Sequence, residues 1–306
     1  MKPSAKALYA SAVEFVEQPD SLQIWPGHGA GSACGKSLGN MPHSTIGYEK
    51  GVNPGLQAAA KNEQAFLDYI LEAQPEPPLY FARMKQLNKA GVPLLRRLPI
   101  PDRMSVQELA RARTDGAATF IDTRLDRADV MRAHLPGALY APLNAMFCTV
   151  VGSFIPDVEA PIILIVDEAG IEEATRRLVR IGYDKLIGYA EPRTQQAHWE
   201  SSDDRESLEL TDFAELERRR SNAAVIDVRS LAEYQEGHVP DAVHAPYTRL
   251  PEYLDRVPTK GQLLVHCGSG ARASVAAAYL ARTGRDVTVV NDLFPNYRKV
   301  GSPVSD

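Results

Sequence analysis

Cysteine is scarce in this chain. The three present among 306 residues, Cys34, Cys148 and Cys267, are far apart and odd in number, so their spacing supports no disulfide framework. Long apolar runs are missing too. No stretch approaches the roughly 20 apolar residues that a membrane-spanning helix requires, and the charged start MKPSAKALYASAVEFVEQPD lacks the continuous apolar segment of a secretory signal. Nor is there a surplus of positive charge. Lys and Arg total 34 against 39 Asp and Glu, a net charge of −5, which argues against nucleic acid as a partner. These absences predict a cytoplasmic protein with no membrane partner, in a reducing compartment where a thiol stays free to react. The remaining composition, 44% hydrophobic and 24% charged, is that of an ordinary globular chain long enough for two or three domains.

The stretch on which the chain is organised is Gly261–Gly284, GQLLVHCGSGARASVAAAYLARTG. Leu263 to His266 read as a buried strand, a Gly/Ser turn follows Cys267, and Ala273 to Arg282 read as a helix. A sulfur at the end of a strand, facing loop amides and a helix N-terminus, occupies an anion site that favours thiolate. Gly268 and Gly270 let the backbone curl around it, and Arg272 supplies a positive fork suited to an oxyanion. Gly268, Ser269, Gly270, Ala271 and Arg272 are therefore the candidate substrate-binding residues around a candidate nucleophile, Cys267.

Residues 1–100 have a different texture. Helices are expected at Lys6–Glu17, Leu56–Leu71 and Leu79–Lys89 with a short strand at Leu22–Trp25, separated by a long loop rich in Gly, Ser, Asn and Pro. That is much loop for one strand and suggests a piece of something larger. LQIWPGHGAGSACGKSLG, followed by STIGYEKGVNPGL, is similar to the C-terminal third of metallo-β-lactamase-fold hydrolases and persulfide dioxygenases. The resemblance matches His28 to a metal ligand of that superfamily, whose main H-x-H-x-D-H cluster finds no counterpart among the histidines at 28, 43, 134, 198, 238, 244 and 266. A lone His builds no zinc or iron site. No metal and no cofactor are expected, and the segment reads as a remnant domain or as part of a longer parent. A metal-dependent oxygenase seated in residues 1–100 is the reading that metal analysis would decide.

From residue 102 the pattern turns α/β, and it does so twice. Ser105 with Glu108 forms a capping box for a helix through Arg113. Strands are expected at 119–123 and 162–166, with a helix at Ile171–Arg180. A second pass has Thr211 capping a helix at 212–219 and strands at 224–228, 263–266 and 286–290. FIDTRLDRADVMRAHLPGALYAPLN aligns with VIDVRSLAEYQEGHVPDAVHAPYTRL. Asp122 and Arg124 match Asp227 and Arg229, His134 matches His238, and Gly182 matches Gly284.

With HCGSGARAS, the second copy closely resembles the rhodanese (sulfurtransferase) family over 206–304, and the first copy over 102–200. The resemblance implies an α/β fold of two open, mainly parallel sheets flanked by helices, preceded by the partial metallo-β-lactamase-fold segment. It departs from the family where a closing Gly-Gly pair is replaced by Asp292 and Leu293. The family's role for its loop cysteine falls on Cys267, which would take a sulfane sulfur from a donor such as thiosulfate or a persulfide, hold it as a persulfide and pass it to a thiol acceptor. The loop from Cys267 to Arg272 spans six residues, with six amides around the sulfur. Related phosphatases and arsenate reductases have one residue more, so the short loop favours sulfur over phosphate. A cysteine phosphatase or arsenate reductase, and a persulfide carrier or sensing module without small-molecule turnover, stay as alternatives. A protein sulfur acceptor and a homo-oligomer remain open as partners. In the first copy Asp167 stands at the cysteine's place with Glu172 and Glu173 beside it, so that copy is expected to be catalytically dead and to shape the cleft over Cys267. Asp227 and Arg229 read as a buried pair fixing loops, His238 as a backbone hydrogen-bonder, and His266 as facing away from Cys267. Cys148 reads as core, and Cys34 has no assignment.

Overall fold

Helical periodicity runs through residues 56–71, but Asn62 interrupts it. The computed structural model, which describes residues 2–27, 41–72, 77–92, 94–201 and 205–304, replaces the single expected helix by α3 (Pro54–Lys61) and α4 (Glu63–Leu71). Asn62 is extended, and its side chain accepts from the Ala65 N–H at 2.8 Å, capping α4. Asn53 caps α3 in the same way, ahead of Pro54 at the first helical position. Before these come α1 (Lys2–Val16), the antiparallel pair β1 (Gln23–Ile24) and β2 (Ser44–Thr45), and α2 (Ile46–Val52). Ala12, Ala59 and Phe66 are the small core of this unit, Met1–Pro77. His28 and Cys34 lie outside the described residues.

Pro78–Asp306 is a second compact unit. It opens with α5 (Tyr80–Ala90), which packs on α8 (Phe147–Phe154). The first sheet follows: β3 (Asp102–Arg103), α6 (Val106–Thr114), β4 (Thr119–Asp122), α7 (Arg127–Arg132), β5 (Leu139–Tyr140), α8, β6 (Ile162–Ile165), α9 (Ile171–Arg180), β7 (Leu186–Ala190) and α10 (Pro192–Ser201). The second comprises β8 (Glu209–Thr211), α11 (Phe213–Arg219), β9 (Ala224–Asp227), α12 (Leu231–Glu236), β10 (Val243–His244), β11 (Gln262–His266), α13 (Ala271–Arg282), β12 (Asp286–Val290) and α14 (Phe294–Tyr297). Thr211 closes β8 instead of capping α11; Asp212 is the cap, accepting from the Glu215 N–H.

The strand orders β3-β7-β6-β4-β5 and β8-β12-β11-β9-β10 are the same, and all pairings within them are parallel. The central strands β6 (IILI) and β11 (QLLVH) are buried along almost their whole length and mostly apolar, as a sheet covered on both faces requires. The two sheets share one core. Ile121, Leu139, Phe147 and Leu164 of the first belong to the same buried cluster as Ile226, Val265, Val275 and Leu280 of the second. Phe154 stacks on Tyr279 across that join at 4.4 Å.

Candidate active site

Strand β11 ends at His266, and a short turn lifts the chain into the twelve-residue α13. Cys267 lies under the turn, 1% exposed. Its Sγ accepts the Gly270 N–H at 3.1 Å and the Ser269 N–H at 3.5 Å. Among the described residues, these two of the six expected amides reach it. Gly270 has φ +85°, the left-handed region, and a Cβ there would also strike the Asn291 side chain. The glycine is what lets its own N–H turn toward the sulfur. Ser269 is exposed at the tip of the loop, and the Gly268 carbonyl accepts from the Phe294 N–H at 3.0 Å. Ala271 is the first residue of α13.

Arg272 does not stand as a free cation. Its Nη1 and Nη2 each donate to Glu233 at 2.6 Å. Glu233 also closes the capping box of α12, accepting from the Ser230 N–H and hydroxyl. Burial works to raise the Glu233 carboxyl, but the Arg272 hydrogen bonds and charge, helped by Ser230, hold it down at about 2. Arg272 is thus matched by a full carboxylate at neutral pH. Its remaining N–H groups are what an anionic donor would meet. Tyr247, in the 3-10 turn Tyr247–Tyr253, faces the same charges, its phenol raised by burial.

Behind the loop, Asp227 ends β9 and takes a bidentate grip from Arg229, at 2.9 Å to Oδ1 and 2.5 Å to Oδ2. Arg229 also donates to the Gly237 carbonyl at 2.8 Å, and its guanidinium lies 3.8 Å from the Phe294 ring centre. Asp122 and Arg124 repeat the arrangement, with Ala133 in place of Gly237. His238 and His134 bond the carbonyls four residues back, those of Tyr234 and Val130. These are structural groups, as the sequence suggests. His266 points to the other face of the sheet, packed on Phe213 and Phe294. Burial depresses it to about 4, partly opposed by Asp227 at 3.5 Å, so it is neutral at physiological pH.

The first sheet corrects one placement. Asp122 pairs with Ile165 as Asp227 pairs with His266. The position equivalent to Cys267 is therefore Val166, not Asp167. A 3-10 turn, Glu168–Gly170, stands where the cysteine loop would be. Glu172 and Glu173 pair with Arg176 and Arg177 on their own helix, at 2.7 and 2.6 Å. The turn itself, Asp167 to Gly170, carries no thiol or hydroxyl. Cys148 is half-buried on α8, and burial raises its thiol. Among the described residues no group of three or more His, Cys, Asp or Glu could hold a metal ion, and no helix is long and apolar enough to cross a membrane.

A cysteine held by loop amides at the carboxyl end of a parallel sheet defines an α/β protein built around one thiol. A Rhodanese-like domain model matches residues 212–299. A thiosulfate sulfurtransferase, GlpE, of Pseudomonas savastanoi pv. phaseolicola is 32% identical over 81 residues, which are 26% of this chain and 76% of that protein. The chain belongs to the rhodanese family. A sulfurtransferase of Allochromatium vinosum is 35% identical over 60 residues, 20% of this chain and 56% of that protein. The structure of a metallo-β-lactamase from Staphylococcus aureus is 34% identical with a TM-score of 0.52, covering 61% of this chain and 50% of that one. The chain thus spans about half the length of these last two proteins. The metallo-β-lactamase likeness takes in the N-terminal part and is too extensive to stop at residue 77.

Proposed function

We propose that the chain is a sulfurtransferase that moves sulfane sulfur from a small donor to a thiol acceptor through a persulfide on Cys267. The observation that carries this reading is the pair of N–H groups, from Ser269 and Gly270, aimed at the Cys267 sulfur at the start of α13. Donors so placed stabilise a negative sulfur, whether thiolate or persulfide. With thiosulfate as donor, the thiolate attacks the sulfane sulfur. The donor S–S bond breaks, and sulfite leaves with the bonding electron pair. An acceptor thiolate or cyanide then attacks the terminal sulfur of the persulfide and releases the Cys267 thiolate. Membership of the rhodanese family and likeness to a thiosulfate sulfurtransferase support the same chemistry.

The neutralised Arg272 favours a second reading, in which Cys267 carries sulfur for a partner protein without efficient turnover of small donors. Thiocyanate formation from thiosulfate and cyanide separates the two. The sulfurtransferase reading expects turnover in the native chain and none in Cys267→Ala. Equal rates in both would sink it, and a loaded but non-turning protein would select the carrier.

A further inference from the structure

Arg127 is the first residue of α7, in the repeat that has no nucleophile. Its guanidinium nevertheless reaches the cysteine loop, 142 residues further along the chain. Nη2 donates to the Ser269 carbonyl at 3.1 Å, and Nε donates to Asn291 Oδ1 at 2.7 Å. The Ser269 carbonyl belongs to the same peptide unit as the Gly270 N–H, the closer of the two donors to Cys267 Sγ. A peptide unit is planar, so a hold on its oxygen fixes the direction of its N–H. A cation on that oxygen also polarises the group and makes the N–H a stronger donor. Asn291, the second anchor, packs against Gly270 itself. The turn is thereby clasped at both sides of its left-handed residue.

We propose that Arg127 is a positioning residue for Cys267: the first repeat reaches over and holds the 269–270 peptide so that its N–H stays on the reacting sulfur. This extends the sulfurtransferase reading and rests on it for the kinetic consequence. It gives the repeat without a nucleophile a defined part in the reaction, one that acts through a peptide group and not by touching the donor.

Arg127→Gln and Arg127→Lys test it, with the unfolding midpoint recorded for both. Arg127→Gln is expected to lower kcat about tenfold, the order for weakening one hydrogen bond to a charged group, with the donor KM unchanged within about twofold. Arg127→Lys, which keeps the charge but cannot hold two oxygens as a fork, is expected to fall between. A kcat equal to that of the native chain overturns the proposal. So does a loss confined to KM, which would make Arg127 a donor-binding group, and so does a loss of rate matched by a collapse of the unfolding midpoint in both variants. A further readout needs no turnover. The ultraviolet thiolate absorbance at neutral pH, taken as the difference from Cys267→Ser, is expected to fall in Arg127→Gln, and an unchanged signal there counts against the proposal. If the native chain transfers no sulfur but this signal still falls, the positioning role stands while the sulfurtransferase reading fails.

Discussion

A single left-handed glycine supplies the nearer of the two N–H partners of the Cys267 sulfur. Gly270 turns its N–H inward, and neither its φ nor the space beside Asn291 admits a side chain. The residue immediately before the nucleophile has a different fate. His266 is buried among Phe213, Phe294 and Asp227 and stays neutral because its folded value, about 4, lies below the ordinary 6.5. The unfolded chain therefore binds more protons than the folded one between these values, and stability rises with pH across that window. Stability from this group is complete above about pH 6.5 and is lost as pH falls toward 4, by at most about 3 kcal/mol. The urea midpoint of the native chain should drop between neutral pH and pH 5, and His266→Leu should flatten that drop. An equal slope in both would show that other groups govern it. Cys267, its glycines and the placement of His266 on the face opposite Cys267 were all readable from a strand ending in a Gly/Ser turn. The pairing of Arg272 with Glu233 was not, because the partners are 39 residues apart and nothing local links them.

At the scale of elements, the repeat shows what holds each sheet to its loops. In both copies an Asp at the end of a strand binds an Arg two residues on, and that Arg ties down a carbonyl beyond the next helix. Breaking a buried pair leaves an uncompensated charge, so Asp227→Ala and Asp122→Ala should each cost about 3–5 kcal/mol. Chemical unfolding measures this. A loss below about 1 kcal/mol, the range of exposed pairs, would show that the pair is dispensable. The strands β4, β6, β9 and β11 were legible as short, largely apolar runs, α6 from its capping box, and α9 from the spacing of its buried Ala174, Thr175 and Leu178, although no side chain caps it. The two-residue strands β5 and β10 are too short to show an alternation. Helix α8 hid because it is short and mostly buried: six of its eight residues, FCTVVGSF, are covered and no side chain caps its start. Asp167 was misplaced by one residue because alignment through an altered turn has no fixed register, whereas the ladder from β4 to β6 does.

On the scale of the whole molecule, two sheets of one topology have divided the labour. One keeps the thiol loop, and the other supplies part of the shared core and Arg127. The shared cluster that runs from Phe147 to Leu280 explains why the copy without a nucleophile persists as structure. That one strand order is used twice was legible from spaced Asp, Arg, His and Gly residues; that the two cores merge was not, since each stretch of sequence describes only its own sheet. The central claim is that sulfur chemistry in this chain resides at one thiol out of three. Its most direct measurement is the intact mass of the full chain after incubation with thiosulfate, followed by mapping of the modified peptide. The account predicts a gain of one sulfur atom on Cys267, and no gain in Cys267→Ser. Sulfur retained by the Cys267→Ser chain, or mapped to Cys148 or Cys34 in the native one, would contradict it.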